Sequence, residues 1–324
     1  MFHIIRPGTN FDFVGKRKVW LGLSTLAVIA SIVLLFTKGL NFGIDFTGGA
    51  EVHVKVPTEW STGVLRKTLE DAGIKNAKVV TVGEQVGEFL VRVQGDAASL
   101  NAVSQKVEGA LKTKAGDGNY SLLRVDVVGP AAGSTLKRNG LLAMFYALFV
   151  ILIYVAVRFD SRYAPGAVLA LFHDAMIVLG IFVLTGKQFD LTILAAVLAL
   201  IGYSNNDTVV VFDRVRETTQ MHPQLSISQA VNRAINETLG RTILTSLTTF
   251  FVVASLFFFG GTVIENFAFT LMCGVVIGTY SSVFIASSLI IVITEYRKGR
   301  EDAVKRSGKK KKKRRYEVRS NPGM

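Results

Sequence analysis

The feature that most constrains this chain is a series of long apolar blocks separated by shorter polar stretches. Each block approaches the roughly 20 residues that a helix needs to cross the hydrocarbon core of a bilayer. A spanning segment must also satisfy its own backbone hydrogen bonds, so the pattern predicts a membrane all-α six-helix bundle. The predicted spans are 19–36, 139–157, 165–185, 191–212, 241–259 and 267–294.

Basic residues predict how the helices are oriented. The chain of 324 residues has a net charge of +13, and residues 297–324 contribute thirteen basic against three acidic side chains. The N-terminal 18 residues and the loops at 158–164 and 213–240 are also basic, and basic loops stay in the cytoplasm. We therefore predict cytoplasmic termini, a periplasmic segment 37–138 and a place in the cell inner membrane.

The 37–138 segment has the pattern of a small α+β domain. Period-two alternation and helical periodicity predict the order βαββαβ, which is the ferredoxin-like split motif. An open sheet edge or face would suit an extended polypeptide, whereas a spacer domain that binds nothing is the alternative. The predicted strands are 49–56, 77–82, 88–94 and 120–128, and the helices are 58–71 and 97–112, with a turn at 83–87 and Asp96 as an N-cap.

Polar side chains interrupt the membrane blocks. Ionisable groups cost roughly 2.5–3.5 kcal/mol each at the bilayer centre, so they usually face the bundle interior and mark a pathway or relay. At 1.5 Å per residue, the third-helix His173 lies about 12 Å from the cytoplasmic end of its helix and the fourth-helix Asp207 about 9 Å. We expect one polar layer in the cytoplasmic half, made of His173, Asp174, Asn205, Asn206, Asp207 and Arg241.

Helical spacing sorts further polar residues onto faces. On the fifth helix Thr242, Thr245, Ser246 and Thr249 share a stripe that can line a path or bond a neighbouring helix. On the fourth helix Tyr203, Asn206, Asp207 and Arg214 share a face that points away from Asn205. The charged cluster that follows is interpreted as a solvated helix end or a partner contact, and it contains Asp213, Arg214, Arg216 and Glu217.

Asp207 and Arg241 suggest a proton relay. Arginine keeps its charge, so the carboxylate is the switch: ionised and paired with Arg241, or protonated and free of it. A proton crossing the membrane field contributes about 2.3 kcal/mol per 100 mV. The alternative is a buried ion pair that only fixes helix packing.

Other chemistries find no support in the sequence. There is no P-loop pattern, no Cys/His metal spacing and a single cysteine, Cys273, which excludes an intrachain disulfide. We therefore predict no enzyme activity, no metal and no cofactor, with protons as the only coupling ion.

Four runs of residues carry a resemblance to a known family. The chain is similar to the SecD/SecF protein-export membrane proteins over residues 1–298, and its fourth-helix motif resembles the SecF members. The runs are 41–49 (NFGIDFTGG), 172–174 (FHD), 202–217 (GYSNNDTVVVFDRVRE) and 236–242 (NETLGRT). Asn205 and Gly240 depart from the family's usual aliphatic residue and serine, and neither removes the acid or the arginine.

The resemblance implies a function and partners. It implies half of a resistance–nodulation–division transporter core that works with a SecD subunit, the SecYEG channel and YajC on unfolded exported polypeptides. The proton-motive force would drive late stages of export, with Asp207 and Arg241 as the proton-transport residues. It also places family positions at His173, Asp174 and Asp213, and the signature after the first helix at Gly43, Asp45, Gly48 and Gly49.

Two other functions stay open at this point. One is a half-transporter that exports lipid or small molecules, and the other is a non-transporting membrane scaffold. The tail 295–324 is predicted to be disordered, and its basic run 309–315 would contact anionic membrane lipids, ribosomal RNA or only solvent.

Overall fold

The computed structural model describes residues 9–75, 77–82, 87–94, 97–159 and 163–300. Within these ranges six helices are long and apolar enough to cross a membrane, as the hydropathy pattern predicts. In chain order the elements are α1 (Arg17–Thr37), β1 (Asn41–Phe42), α2 (Ile44–Thr47), β2 (Gly49–Lys55), α3 (Thr62–Asp71), β3 (Lys78–Thr81), β4 (Glu88–Val93), α4 (Ala97–Ala115), β5 (Ser121–Val128), α5 (Pro130–Arg158), α6 (Ala164–Thr185), β6 (Gln188–Phe189), α7 (Leu191–Met221), α8 (Ile227–Phe259) and α9 (Thr262–Tyr280).

The last membrane helix changes its winding part-way. After α9 the chain passes through a π-helical turn at Ser281–Ala286 and then continues as an α-helix to residue 300. A π-turn places one extra residue in a helical turn and is often found at functional sites.

Helices α6, α7 and α9 form the inside of the bundle, and small residues let them approach one another. A Cβ atom added at Gly180 of α6 would lie 2.2 Å from Ser31 Oγ of α1. A Cβ at Gly278 of α9 would lie 3.0 Å from Ser204 Oγ of α7. In membranes such close approach is a main source of helix–helix attraction, because lipid tails are as apolar as the helices.

Helices α1, α5 and α8 form the outside of the bundle. They expose large apolar side chains along their length, and Phe36, Phe145 and Phe251 are more than half exposed. Such a surface is stable only against lipid or another apolar protein.

The inserted segment confirms the predicted βαββαβ order. Its antiparallel sheet has the strand order β3-β4-β2-β5, and α3 and α4 cover one face. The core lies on the central strands β2 and β4, since Val52 pairs with Val91 and both side chains are fully buried. Leu65 and Leu69 of α3 are fully buried against it, whereas the neighbouring Val64 is 42% exposed. The predicted turn residues 83–86 and Asp96 lie outside the described residues.

Strand β5 is an edge of this sheet. Among the described strands it pairs only with β2, and a β-bulge interrupts the register between His53 and Val54. Leu123, Val125 and Val127 of β5 are 41–48% exposed. The predicted open edge is therefore present, and the apolar side chains Leu123, Val125 and Val127 alternate along it with Arg124 and Asp126.

The helices extend further than the apolar blocks. The predicted 213–240 loop is helical except at 222–226, because α7 continues to Met221 and α8 begins at Ile227. A capping box joins Ser226 and Gln229 at the start of α8. Likewise α5 begins at Pro130, nine residues before the predicted 139. Apolarity marks only where a helix meets lipid, and polar turns can continue the same helix into water.

Candidate functional site

Asp207 lies inside the bundle, and two hydroxyl groups bind it. Thr242 of α8 donates from Oγ1 to Asp207 Oδ1 at 2.7 Å. Ser282 of the π-turn donates from its hydroxyl to Asp207 Oδ2. One carboxylate of α7 therefore joins three membrane segments, and both of its oxygens have a donor.

The π-turn holds Ser282 in place. Its hydroxyl also reaches Thr279 O at 3.0 Å, while Ser287 Oγ donates to Ser282 O at 2.8 Å, five residues back. The carbonyl of Ser282, at the wide turn, thus receives a side-chain hydroxyl. Sequence reasoning missed Ser282, although two Ser-Ser pairs in an apolar helix (281–282 and 287–288) were an available signal.

The predicted pairing of Asp207 with Arg241 is not formed in this structure. Arg241 is exposed on the surface of α8, and no carboxylate among the described residues lies within ion-pair distance of it. Adjacent helical residues point about 100° apart. Because Thr242 points toward α7, the neighbouring Arg241 points away from it.

The predicted hydroxyl stripe on α8 divides into two parts. Thr242 and Ser246 are buried, and the Ser246 hydroxyl lies 2.7 Å from that of Thr279 on α9. Thr245 is exposed and donates back to the carbonyl of Arg241 at 3.0 Å, and Thr249 is only partly buried. The stripe is too wide for one interface, because helices in contact bury only the residues nearest the contact line.

An apolar groove runs beside this site. It has a volume of about 970 Å³ between residues 11–20, α8 and α9, and Trp20, Phe250 and Tyr280 help to line it. Thr242 and Ser246 also line it. The hydroxyl partner of Asp207 therefore lies at the wall of open apolar space.

His173 and Asp174 form a second polar centre on α6. Asp174 is completely buried and His173 is 5% exposed. His173 Nδ1 lies 2.8 Å from Asp174 Oδ1, and Ser204 Oγ of α7 donates to Asp174 Oδ2 at 2.5 Å. Ser204 precedes Asp207 by three residues, so both polar centres use one face of α7.

The remaining predicted polar residues lie elsewhere. Asn206 is exposed, while Asn205 Oδ1 is buried and lacks a hydrogen bond among the described residues. Asp213 is 3.7 Å from Arg158 with both side chains about half exposed, so it is outside the buried layer. Arg214 binds Glu217 and Glu237 at 2.5 Å each, which ties the extension of α7 to that of α8.

The glycines after α1 stand where four segments meet. Gly48 has φ +72°, and a Cβ there would lie 2.7 Å from Pro130 Cα at the start of α5. Gly49 has φ +141°, and its Cβ would lie 2.8 Å from Val93 O. A Cβ at Gly43 would meet the Gln188 side chain at 2.6 Å. Position 48 needs a glycine for two reasons: its positive φ angle and its close contact with Pro130.

Asp45 caps a helix distant in sequence. The Leu191 N–H donates to Asp45 Oδ2 at 2.9 Å, and the Ile193 N–H donates to Asp190 Oδ1 at 2.9 Å. Two carboxylates thus satisfy the free N–H groups at the start of α7, the helix that carries Asp207. The signature after α1 is a structural junction between the α/β unit and this helix.

A polar cavity of about 290 Å³ lies at this junction. Asp45, Glu51, Asp126 and Asp190 line it. Burial raises the pKa of Asp190 above its ordinary value of 3.8, the hydrogen bond from Ile193 opposes this, and Asp45 raises it further.

Two protein-family models match this chain. The family described as "Protein export membrane protein SecD/SecF, C-terminal" matches residues 107–296, and the "SecD/SecF GG Motif" matches residues 33–56. The chain belongs to the SecD/SecF family. The resemblance noted in the sequence is thereby confirmed, and the GG motif is the junction that contains Gly48 and Gly49.

Relatives named protein translocase subunit SecF match this chain over nearly its full length. The protein translocase subunit SecF of Calditerrivibrio nitroreducens is 43% identical over 298 residues, covering 91% of this chain and 98% of the relative. That of Pseudomonas aeruginosa is 40% identical over 287 residues, covering 89% and 92%.

Solved SecDF structures share the fold. The crystal structure of SecDF from Thermus thermophilus, described as a translocon-associated membrane protein, matches with a TM-score of 0.82 and 34% identity. A SecDF structure in a super-membrane-facing form matches with a TM-score of 0.68 and 34% identity. These alignments cover 89% and 94% of this chain but only 39% and 41% of the SecDF chains. The predicted fold, half of a transporter core with an inserted α+β domain, is confirmed.

Among the described residues no three His, Cys, Asp or Glu side chains form a group that could hold a metal ion. The polar side chains inside the bundle bind one another instead.

Proposed function

We propose that this chain is the SecF-type subunit of the accessory complex of the Sec translocase. With a SecD-type partner it uses the proton-motive force to drive late stages of protein export through the SecYEG channel. The observation that carries the proposal is Asp207, a carboxylate inside the bundle held by hydroxyls of two other segments. The names of its relatives support the export pathway.

Asp207 suits a proton carrier because its partners are hydroxyls. As a carboxylate it accepts a hydrogen bond from Thr242 on one oxygen and from Ser282 on the other. Once protonated it must itself donate, so one of these hydroxyls has to turn and accept. Proton binding therefore rearranges the contacts among α7, α8 and the π-turn, which is a physical route from a proton to helix movement.

The partner lies against the surface of α8 in this proposal. Arg241 is exposed there with no anion from its own chain among the described residues, and a charge facing lipid is costly. Leu244 and Phe251 on the same helix are at least half exposed. A SecD-type subunit would cover these residues and supply the missing half of the core, consistent with the 39% coverage of SecDF.

The remaining assignments belong to the same proposal. Basic loops place both termini in the cytoplasm and the α/β unit in the periplasm of an inner membrane. The unit's apolar β5 edge would there meet unfolded polypeptide. Protons are the coupling ion, the role is transport rather than catalysis, and contacts with YajC or lipids remain predictions. Residues 295–300 of the predicted tail continue the last helix, and residues 301–324 lie outside the described residues.

The test compares Asp207→Asn with wild type. Both chains are reconstituted with their SecD-type partner and SecYEG in vesicles, and export of a reporter protein is followed with and without a proton gradient. Asparagine keeps the size of the side chain and removes the titratable proton. We expect the variant to lose the gradient-dependent part of export and to keep the rest.

Two controls make the result specific. Asp117→Asn changes a carboxylate on the surface of the α/β unit, where it pairs with Lys112 at 3.1 Å, and should leave export unchanged. Assembly with the partner is measured in every sample. A properly assembled Asp207→Asn complex that keeps its full gradient response would contradict the proposal.

A further inference from the structure

The His173–Asp174 pair is a buried centre that the Asp207 site does not use. Asp174 has no exposed surface, and its two oxygens are taken by His173 at 2.8 Å and Ser204 at 2.5 Å. The other ring nitrogen, His173 Nε2, is buried and has no hydrogen-bond partner among the described residues. A buried polar atom without a partner is uncommon and marks a site that can take up something.

The net charge of the pair decides what it takes up. If His173 is neutral and Asp174 is ionised, the centre carries one negative charge inside the bundle. No Lys or Arg of the described chain lies within ion-pair distance of Asp174. An uncompensated buried charge is strongly unfavourable, so the pair gains by binding one proton.

One bound proton can reside in two places with the same result. On Nε2 it gives an imidazolium beside a carboxylate, and on Asp174 it gives a neutral acid that donates to Nδ1. Both arrangements are neutral overall, and both leave an N–H at Nε2. The coupled pair therefore behaves as one site for one proton.

We propose that His173, Asp174 and Ser204 form a second proton-binding site, distinct from Asp207 and formed between α6 and α7. The Ser204 hydroxyl donates to Asp174 and positions its carboxyl group. The inference concerns proton binding alone and does not require that Asp207 carry the transported proton.

Among the described residues, no Lys or Arg forms an ion pair with His173 or Asp174. The His173 ring lies 6.3 Å from that of Tyr280, whose hydroxyl is 3.0 Å from Ser24 on α1. Several charged groups on the segments around α6 have partners elsewhere. They include Arg17 with Glu295, Arg158 with Asp213, Lys187 with Glu265, and Asp207 with Thr242 and Ser282.

The two proton sites share structural elements. Ser204 and Asp207 lie on one face of α7. Ser281 reaches Ala170 O of α6 at 3.5 Å, while its neighbour Ser282 binds Asp207. The π-turn therefore contacts α6, the helix of the pair, as well as Asp207.

The test is a pH titration of imidazole nitrogens by NMR. The full chain is labelled with ¹⁵N-histidine in lipid nanodiscs, and the His173 signal is identified by its absence in His173→Gln. The chain has four histidines, so the spectrum is simple. We expect the His173 signal to change on proton uptake at a pH where the fold is intact.

Two variants ask whether the proton belongs to the pair. Asp174→Asn removes the carboxylate that favours the charged imidazole. We expect it to move the midpoint of the His173 titration to lower pH by about one unit or more. Ser204→Ala removes the donor to the carboxylate and should move it to higher pH. Ser204→Ala changes only one hydroxyl, so it keeps the test available if Asp174→Asn does not fold.

The same measurement on Asp207→Asn separates this inference from the proposed function. A His173 signal that still titrates in Asp207→Asn supports a distinct site, whatever happens to export. Two results together overturn the inference. The His173 signal stays constant over the whole pH range, and infrared spectroscopy finds no protonated carboxyl band that disappears in Asp174→Asn. The inference is also overturned if neither Asp174→Asn nor Ser204→Ala shifts the midpoint of the His173 titration.

Discussion

At the scale of single residues, the chemistry of this chain depends on which donors reach its buried acids. Asp207 has two hydroxyl donors and Asp174 has one hydroxyl and one imidazole. Hydroxyls can both donate and accept, whereas an arginine can only donate. An acid held by hydroxyls can therefore bind and release a proton without leaving a buried cation alone.

Thr242→Val tests the hydroxyl on Asp207 with almost no change in shape. A hydrogen bond to a charged group contributes about 1.5–3 kcal/mol. We therefore expect the gradient-dependent part of export to fall between about tenfold and a hundredfold in the reconstituted vesicle assay, since each 1.36 kcal/mol of barrier is a factor of ten.

The matched control for that change lies on α1, away from the α8 face proposed to meet the partner. Thr37→Val removes a hydroxyl that is exposed and bonds only to carbonyls of its own helix, Val33 O at 2.8 Å and Leu34 O at 3.5 Å. Export should be unchanged. If both variants lose the same activity, helix propensity and not the Asp207 contact is responsible.

At the scale of elements, two features of the helices have consequences beyond their own residues. The π-turn at Ser281–Ala286 brings one serine to α6 and the next to Asp207. The start of α7 is held by carboxylates from two different segments, Asp45 and Asp190. The first feature ties α6 to the Asp207 site, and the second joins the α/β unit to the helix that carries Asp207.

The cap at Asp190 predicts a pH dependence of stability. Its pKa is raised in the folded protein, mainly by burial, so ionisation is less favourable in the fold than in the unfolded chain. The stabilising contribution is fully present below the unfolded value near 3.8 and is lost as the pH rises through the folded value. Asp190→Asn keeps a capping oxygen without the charge and should raise the melting temperature at pH 7.

Thermal unfolding in detergent across pH checks this expectation. The gain from Asp190→Asn should shrink toward zero as the pH falls toward 4. Asp190→Ala, which has no capping oxygen, should be less stable than Asp190→Asn by about 1 kcal/mol at every pH. A destabilised Asp190→Asn at pH 7 would show that the ionised cap stabilises the fold.

At the scale of the whole molecule, a soluble unit and a membrane bundle share one junction. The parallel pair β1–β6 closes it, and Gly43 N donates to Phe189 O at 2.8 Å. Gln188 of the same pair reaches Glu51 in the sheet at 3.4 Å. Movement of the sheet is therefore transmitted to the segment that leads directly into α7.

Gly39 and Gly48 have nearly the same φ angle. Comparing substitutions at the two positions therefore separates the cost of the left-handed backbone conformation from the cost of a close contact. Gly48 has φ +72° and would place a Cβ 2.7 Å from Pro130, while Gly39 has φ +71° and nothing within 4 Å. Gly39→Ala should cost roughly 1–2 kcal/mol from the left-handed conformation alone. Gly48→Ala should cost clearly more, because the start of α5 has to move.

Melting temperatures of the two variants in the same detergent measure the difference. Export by Gly48→Ala should also fall more than its loss of folded protein accounts for, because the junction links the α/β unit to α7. Equal destabilisation of the two variants would show that the contact with α5 relaxes freely.

Much of the architecture is decided by local patterns in the sequence. Six spans follow from apolar length, because a bilayer requires about 20 such residues whatever the neighbours are. The βαββαβ order follows from periodicity, because strand and helix place side chains with different repeats. The positions of Asp207, His173 and Asp174 on membrane helices follow for the same reason.

Only the tertiary structure decided which of these polar residues meet. Which side of α8 faces α7 is set by packing of small residues and apolar contacts from several segments, and it turned Thr242 and not Arg241 toward Asp207. The π-turn that delivers Ser282 and the cap that Asp45 gives to α7 join residues 75 and 146 positions apart. Such contacts depend on the rotation and register of whole helices, which local periodicity does not specify.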